Sequence, residues 1–300
     1  MRILVTGAFA QARALAERFP EVTFDTWPDE RAAVPNPEIY DGVICNALLS
    51  FHDAAAFSRL QFVQLTAAGY DRVPLDQLKA RGVRVYNAGD AYAIPMTEAT
   101  VWGLLTLYRN GKAFLASAQR HAWEKQRGLL ELSGKRVCVM GCGNYGRACA
   151  GLFAAFGCRV VGVNRTGEDM EGFDEIYAFD SLKQAVADAD IVISALPLTE
   201  QTEDILNADL FAACKRGCVL VNLSRGRIVR QADMIAALTG GQLGGAVLDV
   251  FETEPLDENS PLWDMDNVVL TPHNAYAGDG VAERLLAVVS RNLEGEMDRA

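Results

Sequence analysis

Arg136-Val137-Cys138-Val139-Met140 runs directly into Gly141-Cys142-Gly143-Asn144-Tyr145-Gly146, and the chain continues with the helical spacing of Tyr145 to Phe156. A β-rich apolar run, a G-x-G-x-x-G loop and a helical segment in this order form the strand, turn and helix of a dinucleotide-binding unit. The three glycines serve different ends, since the first makes the tight turn, the second admits a pyrophosphate to the backbone, and the third lets helix and strand close. A helix opening here offers unpaired N–H groups and its positive dipole end to the phosphates. The bare pattern is a weak signal, and its place between strand and helix makes it specific.

Working outward, strand-like runs alternate with helical ones along the whole chain, which predicts βαβ units and parallel sheets. Downstream of Gly134 the runs are RVCVMG, RVVGVN, EIYAF, DIVISAL, CVLVNLS, GGAVLDV and NVVLTPH, enough for a full dinucleotide-sized sheet. Upstream, RILVTG, VTFDTW, GVICNA, FVQLTAA and VRVYNA are strand candidates, with short helices expected at Ala12 to Phe19 and Pro74 to Arg81. Between the two series, Met96 to Leu107 has helical spacing and the segment to Leu132 is polar, so a long helix and arm are expected to join two domains. The tail from Gly280 to Leu293 reads as a helix. The fold class expected is α/β with two doubly wound parallel-sheet domains: a Rossmann cofactor domain (97–274) inserted in a smaller flavodoxin-like domain (1–96 and 275–300).

Three hundred residues suffice for about two such domains. The balance of 28 Lys and Arg against 39 Asp and Glu, a net charge of −11, argues against nucleic acid or an anionic membrane as the main partner. An anionic ligand must therefore be caught locally. Seven cysteines, odd in number and mostly inside apolar runs, read as reduced and cytoplasmic. Their spacings lack the companion ligands of a zinc site, so no metal is expected. Neither a signal peptide nor an apolar run of about 18 residues is visible, and a soluble protein is expected.

The strand RVVGVN ends at Asn164, eighteen positions past Gly146, where an NAD site normally places an acid for the ribose hydroxyls. Asn164, Arg165 and Thr166 stand there instead. An acid would repel a 2′-phosphate, whereas a guanidinium binds it through charge-assisted bonds and small polar side chains donate to it. NADP(H) is accordingly favoured over NAD.

Only three histidines exist. His52 is expected on a surface helix and His121 in the polar arm, but His273 ends the last strand, at the carboxyl edge where open α/β sheets place their ligand crevice. Arg225, after VLVNLS, and Glu254, after GGAVLDV, leave the same edge. Together beside a nicotinamide they suggest reduction of a ketone. The alkoxide formed by hydride addition needs a proton, which His273 would donate. Glu254 would favour the imidazolium and fix the ring, and Arg225 would clamp a substrate carboxylate through paired N–H bonds. The substrate would be a small 2-oxo or 2-hydroxy acid.

At these residues the chain resembles the D-isomer-specific 2-hydroxyacid dehydrogenase family over nearly its whole length. LSGKRVCVMGCGNYG (132–146), ALPLTEQTEDILN (195–207), VLVNLSRGRIV (219–229), GGAVLDVFETEPL (244–256) and LTPHNA (270–275) carry the resemblance, in family order. It implies Arg225, Glu254 and His273 as the catalytic set. It also implies that Asp249 holds the nicotinamide carboxamide, that Leu196 and Pro197 border the adenosine, and that backbone of Leu223 and Ser224 faces the cofactor. The substrate carboxylate is expected on N–H groups of Ala68 and Gly69 in the turn AAGYD. Two departures touch the pocket region: Met96-Thr97-Glu98 replaces the usual Val-Ala-Glu, placing Thr97 at the cofactor, and Tyr276 stands at the substrate where a small residue is common.

Glyoxylate or hydroxypyruvate is the kind of substrate favoured. Phosphoglycerate dehydrogenase and a nicotinamide-sensing, corepressor-like regulator of the same fold are the alternatives, and turnover separates the regulator from the enzymes. A relative acting on formate is disfavoured because it would carry Gln at Glu254. The pair Tyr108 and Lys112 after ILVTGAF imitates short-chain dehydrogenases, but the second and third glycines are missing after Gly7. Apolar residues such as Trp102, Phe114 and Trp123 between Thr97 and Leu132 exceed the needs of a solvated linker, and a homodimer through this segment is expected.

Overall fold

The structure, a computed structural model, describes residues 1–7, 9 and 11–299; Ala8, Ala10 and Ala300, which fall in the first expected domain, lie outside the described residues. The chain forms two units, Met1–Tyr92 with Gly278–Ala300, and Ala93–Ala277. The division thus falls a few residues from the expected 96/97 and 274/275. Met96 and Ala99 already pack against the second unit's core, in which Ala275 is buried.

In the first unit five parallel strands, β1 (Arg2–Thr6), β2 (Thr23–Trp27), β3 (Gly42–Cys45), β4 (Phe62–Leu65) and β5 (Arg84–Tyr86), lie in the order β2-β1-β3-β4-β5. This is the flavodoxin-like order, with its switch point between β1 and β3. Every residue of β3 and β4 is buried, as expected where both faces of a parallel sheet are covered. Helices Ala12–Arg18, Leu75–Ala80 and Val281–Met297 belong to this unit. In the last, Leu285, Val289 and Leu293 recur every four residues and pack with Ile3, Val5 and Phe62. Fully burying each such side chain contributes about 1.5–3 kcal/mol.

The second unit holds seven parallel strands: β6 (Arg136–Met140), β7 (Arg159–Asn164), β8 (Glu175–Ala178), β9 (Ile191–Ser194), β10 (Cys218–Asn222), β11 (Leu243–Leu248) and β12 (Val268–Leu270). Their order, β12-β11-β10-β9-β6-β7-β8, is that of the doubly wound dinucleotide fold, reversing at β6 and β9. One hydrophobic cluster lies on each face, with Phe211 and Met234 in one and Leu104 and Phe153 in the other.

Two local expectations are corrected. The helix expected over Met96–Leu107 is present as Ala93–Tyr108, but the arm after it is not wholly irregular: Asn110 adopts a left-handed conformation (φ 53°) and a second helix covers Gly111–Gln119. The Asn-Gly pair explains the break, since these residues tolerate positive φ best. His52 is not on a helix either. It lies between short 3₁₀ turns at Leu48–Ser50 and Ala54–Ala56, with Nε2 2.9 Å from the Glu30 carbonyl.

Candidate active site

The glycine loop links β6 to the helix Asn144–Ala155. Gly141 (φ 104°) lies so near β9's exit that a Cβ would stand 2.6 Å from the Ala195 carbonyl, and a Cβ on Gly146 would stand 2.0 Å from that of Gly141. Both positions exclude a side chain. Gly143 differs, because a Cβ there meets nothing within 4 Å, and no side chain caps the helix that it opens. Open space above uncapped N–H groups is the cradle that a pyrophosphate requires. These residues therefore fit a dinucleotide.

The neighbouring side chains have other partners. Asn144 Oδ1 accepts from Arg147 at 2.7 Å. The Tyr145 hydroxyl lies 2.7 Å from Thr100 Oγ1, and burial pushes this phenol well up, so it stays neutral in the helix packing. Thr97 is buried and donates to the Ala93 carbonyl at 2.7 Å, spending its hydroxyl inside its own helix. Cys142 donates to the Val163 carbonyl, and burial pushes its thiol up to about 11, which keeps it protonated. Leu196 and Leu223 bury their side chains in the core, leaving main chain for a ligand, while Pro197 is exposed. At the end of β7 the Asn164 amide folds over its own loop: Oδ1 accepts from the N–H groups of Thr166 (3.1 Å) and Gly167 (2.6 Å), and Nδ2 donates to the Glu168 carbonyl (2.8 Å). This holds Arg165 and Thr166 on an exposed turn.

Three loops at the carboxyl edge of β10, β11 and β12 carry the charged residues. His273 Nδ1 lies 2.7 Å from Glu254 Oε2. A carboxylate only accepts, so Nδ1 carries the proton and Nε2 is the atom left to face a ligand. The other Glu254 oxygen accepts from the Phe251 N–H at 3.2 Å. Tyr276, 48% exposed, stands edge-on to the His273 ring with centroids 6.4 Å apart. Arg225 leaves the turn after β10, where Asn222 Nδ2 donates to the Arg225 carbonyl (3.0 Å) and Asn222 Oδ1 accepts from Ser224 N (3.2 Å) and Oγ (2.9 Å). Arg225 Nη1 donates to the Ser224 carbonyl, and Ser224 Oγ lies 3.0 Å from Ser194 Oγ. A Cβ on Gly226 would overlap the Phe251 carbonyl at 1.8 Å, so the loops bearing Arg225 and Glu254 touch through main chain.

Asp249 is 1% exposed and bonds to the histidine loop: Oδ1 accepts from Thr271 Oγ1 (2.5 Å) and Asn274 N (2.8 Å), and Oδ2 from Ala275 N (2.9 Å). Its partners are thus found in the protein. Asn222 and Thr271 escaped the sequence reading as organisers; their place in N-x-x-R-G and T-P-H was the available signal. Ala68 and Gly69 follow β4 in the first unit, and Asn87 Nδ2 donates to the Ala68 carbonyl at 2.7 Å.

A seven-stranded doubly wound sheet with such a glycine cradle defines a dinucleotide-binding protein. Residues 101–275 match the model of the D-isomer specific 2-hydroxyacid dehydrogenase NAD-binding domain. The glyoxylate reductase of Pyrococcus furiosus is 31% identical over 289 residues, 91% of this chain and 85% of that one. Human glyoxylate reductase/hydroxypyruvate reductase is 30% identical over 311 residues, covering 98% and 94%. Among solved structures, the NADPH-dependent glyoxylate/hydroxypyruvate reductase of Sinorhizobium meliloti, in complex with NADP and sulfate, is 30% identical with a TM-score of 0.81, covering 99% of this chain and 95% of that one. The chain belongs to the D-isomer-specific 2-hydroxyacid dehydrogenase family, whose members are NAD(P)-dependent oxidoreductases.

Proposed function

We propose that this protein reduces small 2-oxo acids of the glyoxylate and hydroxypyruvate kind to D-2-hydroxy acids, with NADPH favoured over NADH. The observation that carries the reading is the 2.7 Å contact between His273 Nδ1 and Glu254 Oε2 at the carboxyl edge of the dinucleotide-type sheet. The nicotinamide cofactor supplies the hydride that adds to C2. As negative charge builds on the carbonyl oxygen, His273 Nε2 donates its proton there, and Glu254 holds the ring and offsets the imidazolium charge. Arg225 pairs with the substrate carboxylate and orients C2. In the first unit the N–H groups of Ala68 and Gly69 would hold a substrate carboxylate. Gly141 to Gly146 would cradle the pyrophosphate, Leu196, Pro197, Leu223 and Ser224 would offer main chain, and Asn164, Arg165 and Thr166 would meet the 2′-phosphate.

The names of the two curated relatives and the solved neighbour support the substrate class. The test is oxidation of NADPH and NADH across glyoxylate, hydroxypyruvate, pyruvate and branched or aromatic 2-oxo acids. Turnover of the smallest acids with NADPH is expected. Cofactor binding without turnover of any 2-oxo acid would favour a regulator.

A further inference from the structure

A cavity of about 470 Å³ opens in the first unit beside the ends of β1 and β3. Arg31, Asn46, Phe51 and Arg72 line it, with Asp29 and Glu30. Among the described residues neither guanidinium forms an ion pair: Arg72 Nη1 donates to the neutral Asn46 Oδ1 at 3.3 Å, and Arg31 stacks 5.6 Å from the Phe51 ring centroid. The two carboxylates have donors of their own. Glu30 accepts from Thr6 Oγ1 (2.7 Å) and the N–H groups of Asn46 (2.7 Å) and Ala47 (2.8 Å), and Asp29 Oδ1 accepts from Arg31 N (2.9 Å). Ser50 Oγ donates to the Arg72 carbonyl at 2.8 Å, fixing the backbone from which that guanidinium extends. Two unpaired guanidiniums on one cavity, in a chain of net charge −11, form a local trap for an oxyanion.

The turn Ala68–Gly69 leaves the strand next to the one that leads into the cavity lining. Asn46 follows β3 and that turn follows β4; the two strands are hydrogen-bonded neighbours, and Thr66 N donates to the Cys45 carbonyl at 2.8 Å. Arg72 lies three residues past Gly69 on the same loop. Adjacent strands are about 4.7–4.9 Å apart, roughly the reach of a four- or five-carbon chain. Resting on the carboxylate role proposed above for Ala68 and Gly69, we infer that Arg72 and Arg31 bind a second oxyanion at the far end of the substrate, so that 2-oxo acids with a carboxylate or phosphate tail are preferred over neutral ones.

The experiment measures kcat/KM of the full-length enzyme with NADPH for two matched pairs, 2-oxoglutarate against 2-oxohexanoate and 3-phosphohydroxypyruvate against hydroxypyruvate, with glyoxylate as reference. At least one anionic-tailed member should exceed its neutral partner by about tenfold or more, and the pair that does so separates carboxylate from phosphate. Arg72→Gln should lower the anionic-tailed member about tenfold further than the neutral one, with Arg31→Gln acting in the same direction. Preference for both neutral members, or equal loss for both members of a pair in both variants, overturns the inference. If no 2-oxo acid is reduced, the reaction reading above fails instead, and calorimetric titration of 2-oxoglutarate and 3-phosphohydroxypyruvate decides the cavity. Saturable binding weakened by Arg72→Gln supports it, and absence of binding or insensitivity to that substitution overturns it.

Discussion

The main-chain N–H of His273 donates to the main-chain carbonyl of Asp249 at 2.8 Å, and the Asp249 carboxylate accepts from the two residues that follow His273. His273 has a positive φ of 50°, which is unfavourable for a residue with a Cβ, and these bonds hold it there. Asp249→Asn puts a donor opposite the Ala275 N–H. A misplacement near 1 Å can lower a rate about 10²-fold, so kcat should fall tenfold to about a hundredfold while NADPH affinity changes little. Weaker NADPH binding at unchanged kcat would instead assign Asp249 to the carboxamide. His273→Ala sets the scale: loss of a general acid removes about 10²–10⁴ in kcat with the cofactor still bound, and an unchanged turnover number would remove His273 from the mechanism.

Arg225→Lys keeps the charge and loses the planar fork. Both kcat and substrate affinity should drop, since a bidentate clamp fixes orientation as well as affinity. Steady-state kinetics at saturating NADPH checks this, and normal values for the Lys variant would exclude a bidentate role.

Coenzyme choice rests on the turn after Asn164. A charge-assisted contact from Arg165 to a 2′-phosphate is worth about 1.5–3 kcal/mol, so NADPH should be preferred by at least about tenfold. Arg165→Ala should remove most of that preference. Asn164→Asp should shift it toward NADH, and because it also loses the bond to the Glu168 carbonyl, the ratio of kcat/KM values is the quantity to compare. A wild-type ratio at or below one would place Arg165 in solvent.

Acid should weaken the first unit through Glu296, whose side chain is fully buried on the helix Val281–Met297. Burial alone would raise its pKa; hydrogen bonds from Arg84 and Tyr86 and the charges of Arg84 and Arg299 outweigh it and hold the carboxyl below the usual range. Because the folded value is depressed, the stabilisation is complete above the ordinary carboxylate pKa and is lost as pH falls through the lower, folded one. Glu296→Gln should cost about 1–3 kcal/mol at pH 7 and flatten that acid limb in chemical denaturation. An equally steep limb in the variant would show that other groups set it.

A homodimer is the expected assembly. Trp123 is 91% exposed, and Trp102, Phe114, Leu115 and Leu130 are also exposed on the second unit. Twofold pairing would cover them. Light scattering at micromolar concentration should give about twice the 32.6 kDa chain mass, and the single mass would exclude the dimer.

Among the described residues the strands were legible because short β-rich runs alternate with helical ones, and those buried on both faces, such as GVIC and most of RVCVM, read as unbroken apolar runs. The dinucleotide-binding class of the larger sheet followed from the glycine loop, whereas the strand orders came with the structure. The helix Gly111–Gln119 was harder, since it lies in a segment that reads as polar and the Asn-Gly pair before it marks a stop. The closeness of His273 and Glu254 was foreseeable from strand ends, but the bonds of Asp249 were not, because nothing in LDVFETEP states where a buried carboxylate finds its donors. Arg31 and Arg72 lie in loops without periodicity and meet only through the pairing of distant strands.

Glu30 has a consequence for stoichiometry. Both halves of this chain are doubly wound sheets of the kind that lodge nucleotides at the point where strand order reverses. In the five-stranded half that point lies between Thr6 and Asn46, and the Glu30 carboxylate already sits there on their hydroxyl and N–H groups, as an incoming phosphate would. In the smaller half the donors at that point are taken by the chain's own carboxylate, beside the cavity that Arg31 and Arg72 line. A calorimetric titration should therefore saturate at one dinucleotide per polypeptide, although the architecture is present twice.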